Sequence, residues 1–429
     1  MPWNHKLTAD LICALLGNAI NKLFGFVIIA VLARYIDKSS MGEFFFAISV
    51  TSIVAMLTEV GTSRHLVREI AQDRTGAAGH LSQVLYIRLP LLVGALVLTN
   101  LCVWIFEPAS LKIFLLTSAY VLINDLYFSF GATLVAVGAI VKRAATGLVG
   151  PGLLLLIVVP GASLGWSFDR ILMAHAASSV IMVWLASRVT LRIVGPLPRG
   201  INTGAIKRVL AFALPFFTLT ILALVHARLD EIMLAILRSY EEVASYAASY
   251  KLLEVSRFVI RPLTMVLFPI FVATAAAESW PDYRDNTRRL MLGVGAIGFA
   301  VLALVVPSAY LVVPLVYGNE YQSSIPITQI LFLAAPALFV GQAAILVANA
   351  LYLDRVAIVV SVLGVIGNGG LNLFVIPRWG AVGAAWTTLA TETFVTLAIL
   401  VAVWSCLHRK LSGARAPRGE HGTGFDTGS

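Results

Sequence analysis

The stretch VAIVVSVLGVIGNGGLNLFVIP, residues 356–377, contains no Asp, Glu, Lys or Arg. As a helix rising about 1.5 Å per residue it is long enough to cross a hydrocarbon core of about 30 Å. Residues 144–168, 291–318 and 321–353 are also free of charge. The whole chain has the same character: of 429 residues, 59% are hydrophobic and only 12% charged, where soluble domains carry roughly 25% charged residues. Lipid is the apolar solvent such segments need, and a helix crosses it with its own backbone groups satisfied. The expected fold class is therefore an all-α membrane protein with about 12 transmembrane helices.

The net charge of +9 would suggest nucleic acid as a partner in a soluble protein. Here the basic residues fall mostly between spans, so they report topology instead. With both termini inside, the inner segments carry nineteen Lys and Arg and the outer segments six. The positive-inside rule then places both termini in the cytoplasm. The first apolar run lacks a small-residue cleavage site and is read as a retained helix. Cys13, Cys102 and Cys406 lie in apolar stretches with no metal-ligand spacing, and no redox or metal role follows.

The chain repeats itself. Leu32-Ala-Arg34 and Met41-Gly-Glu-Phe44 end the first helix and open the second; Leu234 and Val243-Ala-Ser-Tyr246 stand at an offset of 202. Arg88-Leu89 and Arg289-Leu290 are offset by 201, each opening the third helix of its half. Gly150-Pro-Gly152 with Val159-Pro160 corresponds to Gly367-Asn-Gly369 with Ile376-Pro377 at 217. These matches predict two parallel six-helix repeats: 1–194, a cytoplasmic linker at 195–206 containing Gly195-Pro-Leu-Pro-Arg-Gly200, and 207–406. A disordered cytoplasmic tail is expected over 407–429. Parallel repeats enclose a central cleft and can rock about it, which favours transport over catalysis or reception.

Ionisable side chains inside spans are costly and usually face a cavity or one another. Asn18, Asn21 and Lys22 share a face of the first helix with Gly25. The seventh carries His226, Arg228, Asp230 and Glu231, and the eighth carries Tyr250, Lys251, Glu254, Arg257 and Arg261. Asn124 and Asp125 lie in the fourth, Glu59 in the second and Glu392 in the twelfth. One reading is static bracing or snorkelling, the plainer one for Arg261, Glu59 and Glu392. The other is a cavity between the halves, favoured for the first, seventh and eighth helices. There Lys22, Arg228, Lys251, Arg257 and Arg261 outnumber Asp230, Glu231 and Glu254. That excess suggests an anionic, phosphate-bearing substrate. The candidate substrate-binding set is Asn21, Lys22, Arg228, Lys251, Arg257 and Arg261. The candidates for ion coupling are Asp230 with Asp125 or Glu254, since protonation is cheap relative to an unpaired charge at membrane depth.

Two motif matches lack their context. Gly293-Val-Gly295-Ala-Ile-Gly298 fits a dinucleotide fingerprint but lies inside an apolar span with no strand before it, so close helix packing explains it better. Gly161-Ala-Ser163-Leu-Gly165 fits a nucleophile elbow but sits between two membrane helices with no triad evident.

The segments VLARYIDKSSMGEF (31–44), LVREIA (66–71), RLDEIML (228–234), YAASYK (246–251), Leu267-Phe-Pro269, VYGNEY (316–321) and Asn368 to Gly383 follow in order along nearly the whole chain. In these the sequence resembles the oligosaccharide flippases of the O-antigen and polysaccharide export type, in the superfamily that includes multidrug and toxin extrusion proteins. It departs from their pattern at Ala244, where Gly is common, and at Ile36-Asp37, where Leu-Gly is usual. The resemblance implies a V-shaped pair of six-helix bundles in the bacterial inner membrane. It implies a polyprenyl-pyrophosphate-linked oligosaccharide, moved by alternating access from the cytoplasmic to the periplasmic leaflet for O-antigen, lipopolysaccharide or other surface polysaccharide. Its partners would be that lipid-linked substrate, membrane lipids, a coupling proton or sodium ion, and a polymerase or export machinery. No cofactor and no nucleic acid is implied, and no ATP site is visible. Two other readings stand beside it. A drug or cation antiporter of the same superfamily would want acidic cavity walls, and a membrane glycan polymerase or ligase would want a long outer loop.

Overall fold

The computed structural model describes residues 5–59, 61–200, 204, 209, 228–257 and 260–415. Among them the chain is helical and contains no strand. The first half contributes α1 (His5–Tyr35), α2 (Lys38–Glu59), the short α3 (Thr62–Gln72), α4 (Ala77–Phe106), α5 (Leu111–Ala136), α6 (Ile140–Ser163) and α7 (Phe168–Val194). The second half contributes the helical residues 228–237 (α8), then α9 (Tyr240–Ser256), α10 (Ile260–Ala276), α11 (Trp280–Tyr317), α12 (Ser324–Leu333), α13 (Ala335–Ala350) and α14 (Asp354–Arg415).

Eight of these helices are long and apolar enough to cross a membrane, or nine with α12 and α13 taken as one span bent by 43°. The count rises because α14 is two spans. Gly380 interrupts it at φ 55°, ψ −139°, a left-handed conformation that glycine adopts without a Cβ penalty. The helix restarts at Ala381, whose amide donates to Glu242 Oε2 at 2.6 Å, a carboxylate cap of the kind helix N-termini favour. The second half adds α8, α9 and α10. Among the described residues the first half supplies six spans, the number expected from the repeat. The break between Tyr35 and Lys38 recurs between residues 237 and Tyr240, at the displacement of 202 read from the sequence.

Helix ends differ from expectation where the chain enters the polar interface. α11 begins at Trp280, so Arg284, Arg288 and Arg289 ride on its first turns. α14 continues past 406 to Arg415, through part of the tail expected to be disordered; residues 416–429 lie outside the described residues. Lys410 Nζ lies 4.8 Å from the centroid of the Trp280 ring, a cation–π contact that docks one extension on the other. Glu59 ends α2, and its oxygens accept from the amides of Gly61 and Ser63 at 2.8 Å. It caps α3, a helix that lies beyond the span and carries Arg64 and Arg68.

Ser163 Oγ donates to its own helix at Pro160 O, 2.8 Å away, as Ser commonly does near a helix end. The GxGxxG run packs helices, as expected from its setting. A Cβ on Gly298 would lie 2.7 Å from Pro336 Cα, one on Gly295 would touch Val340, and one on Gly293 would meet open space. Gly298→Leu should therefore force α11 off α13 and destabilise the protein by roughly 1–3 kcal/mol, while Gly293→Leu should be neutral. Thermal unfolding in detergent separates the two.

Candidate functional site

A cavity of about 570 Å³ opens within the fold, walled by α1, α2, α5, α6 and α7 and by Arg228 and Lys251 of the second bundle. Its size falls in the range of small-molecule sites. Four cations line it, Lys22, Arg143, Arg228 and Lys251, and no carboxylate stands among the described lining residues.

Each cation is placed by its helix. Lys22 follows Asn21, whose Nδ2 donates to Gly147 O at 2.9 Å and ties α1 to α6. Lys22 Nζ lies 3.0 Å from Glu254 Oε1, and Lys251 Nζ lies 2.8 Å from Glu254 Oε2. One carboxylate is thus shared by lysines of opposite bundles. Arg228 pairs with Glu231 at 3.3 Å, and Glu231 also accepts from Ser49 of α2. Arg143, near the start of α6, has no side-chain partner among the described residues. Four cations therefore face two carboxylates, and the cavity keeps a positive surplus. Lys22 is 45% exposed and Glu254 27%, so water screens that pair and leaves it exchangeable.

The other expected site residues lie elsewhere. Arg257 does not line the cavity; its guanidinium faces Glu392 at 3.6 Å. The reason is local: both are largely buried in the second bundle, where each supplies the counter-charge the other needs. The Arg261 side chain and His226 lie outside the described residues. Asp125 is also away from the cavity. It pairs with Arg88, which is fully buried and donates to Ser129 Oγ at 2.7 Å. Asp230 accepts from Asn372 Nδ2 at 2.6 Å, from Thr388 Oγ1 at 3.0 Å and from the Tyr246 hydroxyl. Asn372 in turn donates to Asn368 Oδ1 at 3.1 Å. This knot joins α8, α9 and both spans of α14. Of the three coupling candidates, only Glu254 touches the cavity cations.

Arg143 is one of the basic residues counted between spans, and Arg88 marks the repeat. A lone Arg inside the apolar run 77–106 was signal enough for a buried pair, and Asn368 and Asn372, one turn apart in a charge-free span, for a polar knot.

At one end the bundles are tied together. Arg34 Nε donates to Val316 O at 3.0 Å and its Nη2 to Leu315 O. Lys38 Nζ reaches Ser323 Oγ at 2.6 Å and Glu320 O at 3.3 Å. The Tyr240 hydroxyl donates to Glu107 Oε1 at 2.7 Å. Gly42 of α2 lies against the Tyr240 backbone so closely that any Cβ would overlap it. The cavity lies toward the opposite end, where α6 starts.

Arg88→Ala should leave the Asp125 carboxylate without its buried partner and cost roughly 3–5 kcal/mol. Arg88→Met combined with Asp125→Leu should recover most of that loss. Melting temperatures of the purified variants check both statements.

A family model described as "Polysaccharide biosynthesis protein" matches residues 31–326. No curated protein sequence matches the chain. Among solved structures, the chain is similar to the lipid II flippase MurJ in an inward closed conformation, with TM-score 0.72 and 11% identity over 93% of this chain and 90% of that one. It is similar to an inward-facing multidrug resistance MATE family transporter of the MOP superfamily, with TM-score 0.73 and 14% identity over 92% and 96%. An outward-facing conformation of a MATE family transporter aligns at TM-score 0.64 and 13% identity over 96% and 98%. At these identities the likeness is one of fold: V-shaped, helical and built from two bundles. The family model spans well over half of the chain, and the protein belongs to the polysaccharide biosynthesis protein family.

Proposed function

We propose that the protein is a flippase that carries a polyprenyl-pyrophosphate-linked oligosaccharide across the bacterial inner membrane for surface polysaccharide, such as the O-antigen of lipopolysaccharide. The observation that carries this reading is the cavity whose described lining holds Lys22, Arg143, Arg228 and Lys251 and no carboxylate. A pyrophosphate diester brings about two negative charges and several acceptor oxygens, which answers the surplus left after Glu254 and Glu231 are counted. Arg143 and Arg228 can engage it through planar forks, and the lysines act as point charges. The same lining argues against a cation antiporter, whose cargo these walls would repel. In the proposed orientation both termini are cytoplasmic, residues 1–194 and 207–406 form the two moving halves, and 195–206 links them. The ties through Arg34 and Lys38 then close the periplasmic end, and the cavity faces the cytoplasm. Arg257, which pairs with Glu392, would act from behind the cavity wall. A polymerase or export partner would take the product outside.

Flipping of a polyprenyl-pyrophosphate-linked glycan in proteoliposomes tests this. Charge-assisted hydrogen bonds contribute about 1.5–3 kcal/mol each, so Arg228→Ala or Lys251→Ala should slow transport roughly 10- to 100-fold. Arg228→Lys should recover only part of the rate. Arg378→Ala, whose guanidinium is exposed and bonds to its own helix at Phe374 O, should behave as wild type. Unchanged transport in the Arg228→Ala, Lys251→Ala double variant would refute the proposal.

Coupling is proposed at Asp230. It is a buried carboxylate that accepts from Asn372, Thr388 and Tyr246, and binding a proton or a sodium ion there would change the charge carried at this depth. Asp230→Asn should fold normally and lose dependence on the proton or sodium gradient. If both dependences persist, the carboxylate is only a structural brace. Asp125 and Glu254 would then follow in order of test.

A further inference from the structure

The cavity cations account for a pyrophosphate, but they cover only part of the wall. The rest belongs to the first bundle and is of different chemistry. Asn18, Ser52, Tyr120, Asn124 and Ser179 all line the cavity. None of these five side chains makes a hydrogen bond to any described residue. Ser179 is only 3% exposed as a residue and lies in the cavity wall. Tyr120, Asn124 and Phe128 stand at i, i+4 and i+8 of α5, so they form one stripe: phenol, amide and phenyl ring. Phe128 is 49% exposed and lines the same space.

We infer that this wall of the first bundle is the sugar-reading surface of the cavity, and that it takes uncharged, hydroxyl- or acetamido-bearing sugars next to the pyrophosphate. This rests on the proposed lipid-linked glycan as cargo. Amide and hydroxyl groups both donate and accept, which is what sugar hydroxyls ask of a partner. Aromatic faces offer flat apolar area to the C–H faces of a pyranose ring. The five unpartnered groups carry no charge, so an uncharged ring can fill their bonding capacity without a counter-ion. The division of labour follows: Lys22, Arg143, Arg228 and Lys251, from both bundles, hold the phosphates, and the neutral wall of the first bundle holds the sugar. A ligand bridging the two walls touches both halves of the transporter at once.

The test uses the full-length protein in nanodiscs and two probes, a polyprenyl pyrophosphate and the same lipid carrying a neutral N-acetylated disaccharide. Wild type should bind the glycosylated lipid at least about tenfold more tightly. Tyr120→Phe with Asn124→Ala should erase that preference and leave affinity for the bare lipid unchanged. Lys251→Ala should weaken both probes alike. Tyr120→Phe alone keeps the ring and the packing, and it should lose part of the preference if the double variant does not fold. If wild type binds neither probe, the proposed cargo itself is wrong. If wild type binds both equally, or the Tyr120 and Asn124 variants keep the preference or lose both probes, the sugar wall is wrong and the flippase reading stands.

Discussion

A charge at membrane depth must find a counter-charge, a set of dipoles or water, and the way this chain meets that demand determines where its remaining cations go. Arg88 takes Asp125 and Arg257 takes Glu392, each pair inside one bundle. Arg228 takes Glu231, and Asp230 is quenched by Asn372, Thr388 and Tyr246. The carboxylate left near the cavity is Glu254, shared by Lys22 and Lys251. The cavity is basic because acidic groups are spent within the bundles, and its sign is therefore built into the packing of both halves.

The two kinds of contact differ in how easily they break. Removing one member of a buried ion pair exposes an uncompensated charge to low dielectric. The ties at the Arg34 and Lys38 end use neutral acceptors, the carbonyls of Leu315, Val316 and Glu320 and the hydroxyl of Ser323. Water can replace those at a net cost of about 1.5–3 kcal/mol per bond, since each donor is charged. Each bundle is thus stiff inside, and it meets its partner through these bonds together with the buried Ser49–Glu231 contact and the close approach of Gly42 to Tyr240.

Much of this was legible in the residues. Charge-free runs longer than a bilayer crossing reveal spans directly, and the offset of 202 located matching helix breaks at Tyr35 and residue 237. Lys22 and Asn21, on one polar face of α1, line the same space as Lys251 and Arg228. Arg257 was not separable from Lys251 by pattern, because the two lie six positions apart on a face of α9 that is charged over its whole width. Which of them meets the cavity depends on Glu392, a residue of α14 that sequence spacing cannot place. The neutral wall was less legible still. Ser179 and Tyr120 acquire meaning only when α5 and α7 bring them beside α1, and a lone Ser or Tyr in an apolar helix is an ordinary occurrence.

The shared carboxylate has a further physical consequence. Glu254 is the acceptor through which Lys22 of the first bundle and Lys251 of the second are linked at the cavity. An anion entering there competes with Glu254 for both lysines, and it offers more oxygens in the same volume. Once it takes Lys22, the ionic link between the bundles runs through the ligand instead of through the protein. An empty transporter is braced at the cavity by its own carboxylate, whereas a loaded one is braced by its cargo. The load can then alter the relative energy of the two arrangements only by the difference in how well each lets the cations converge on it, which is the condition any ligand must meet to shift a conformational equilibrium.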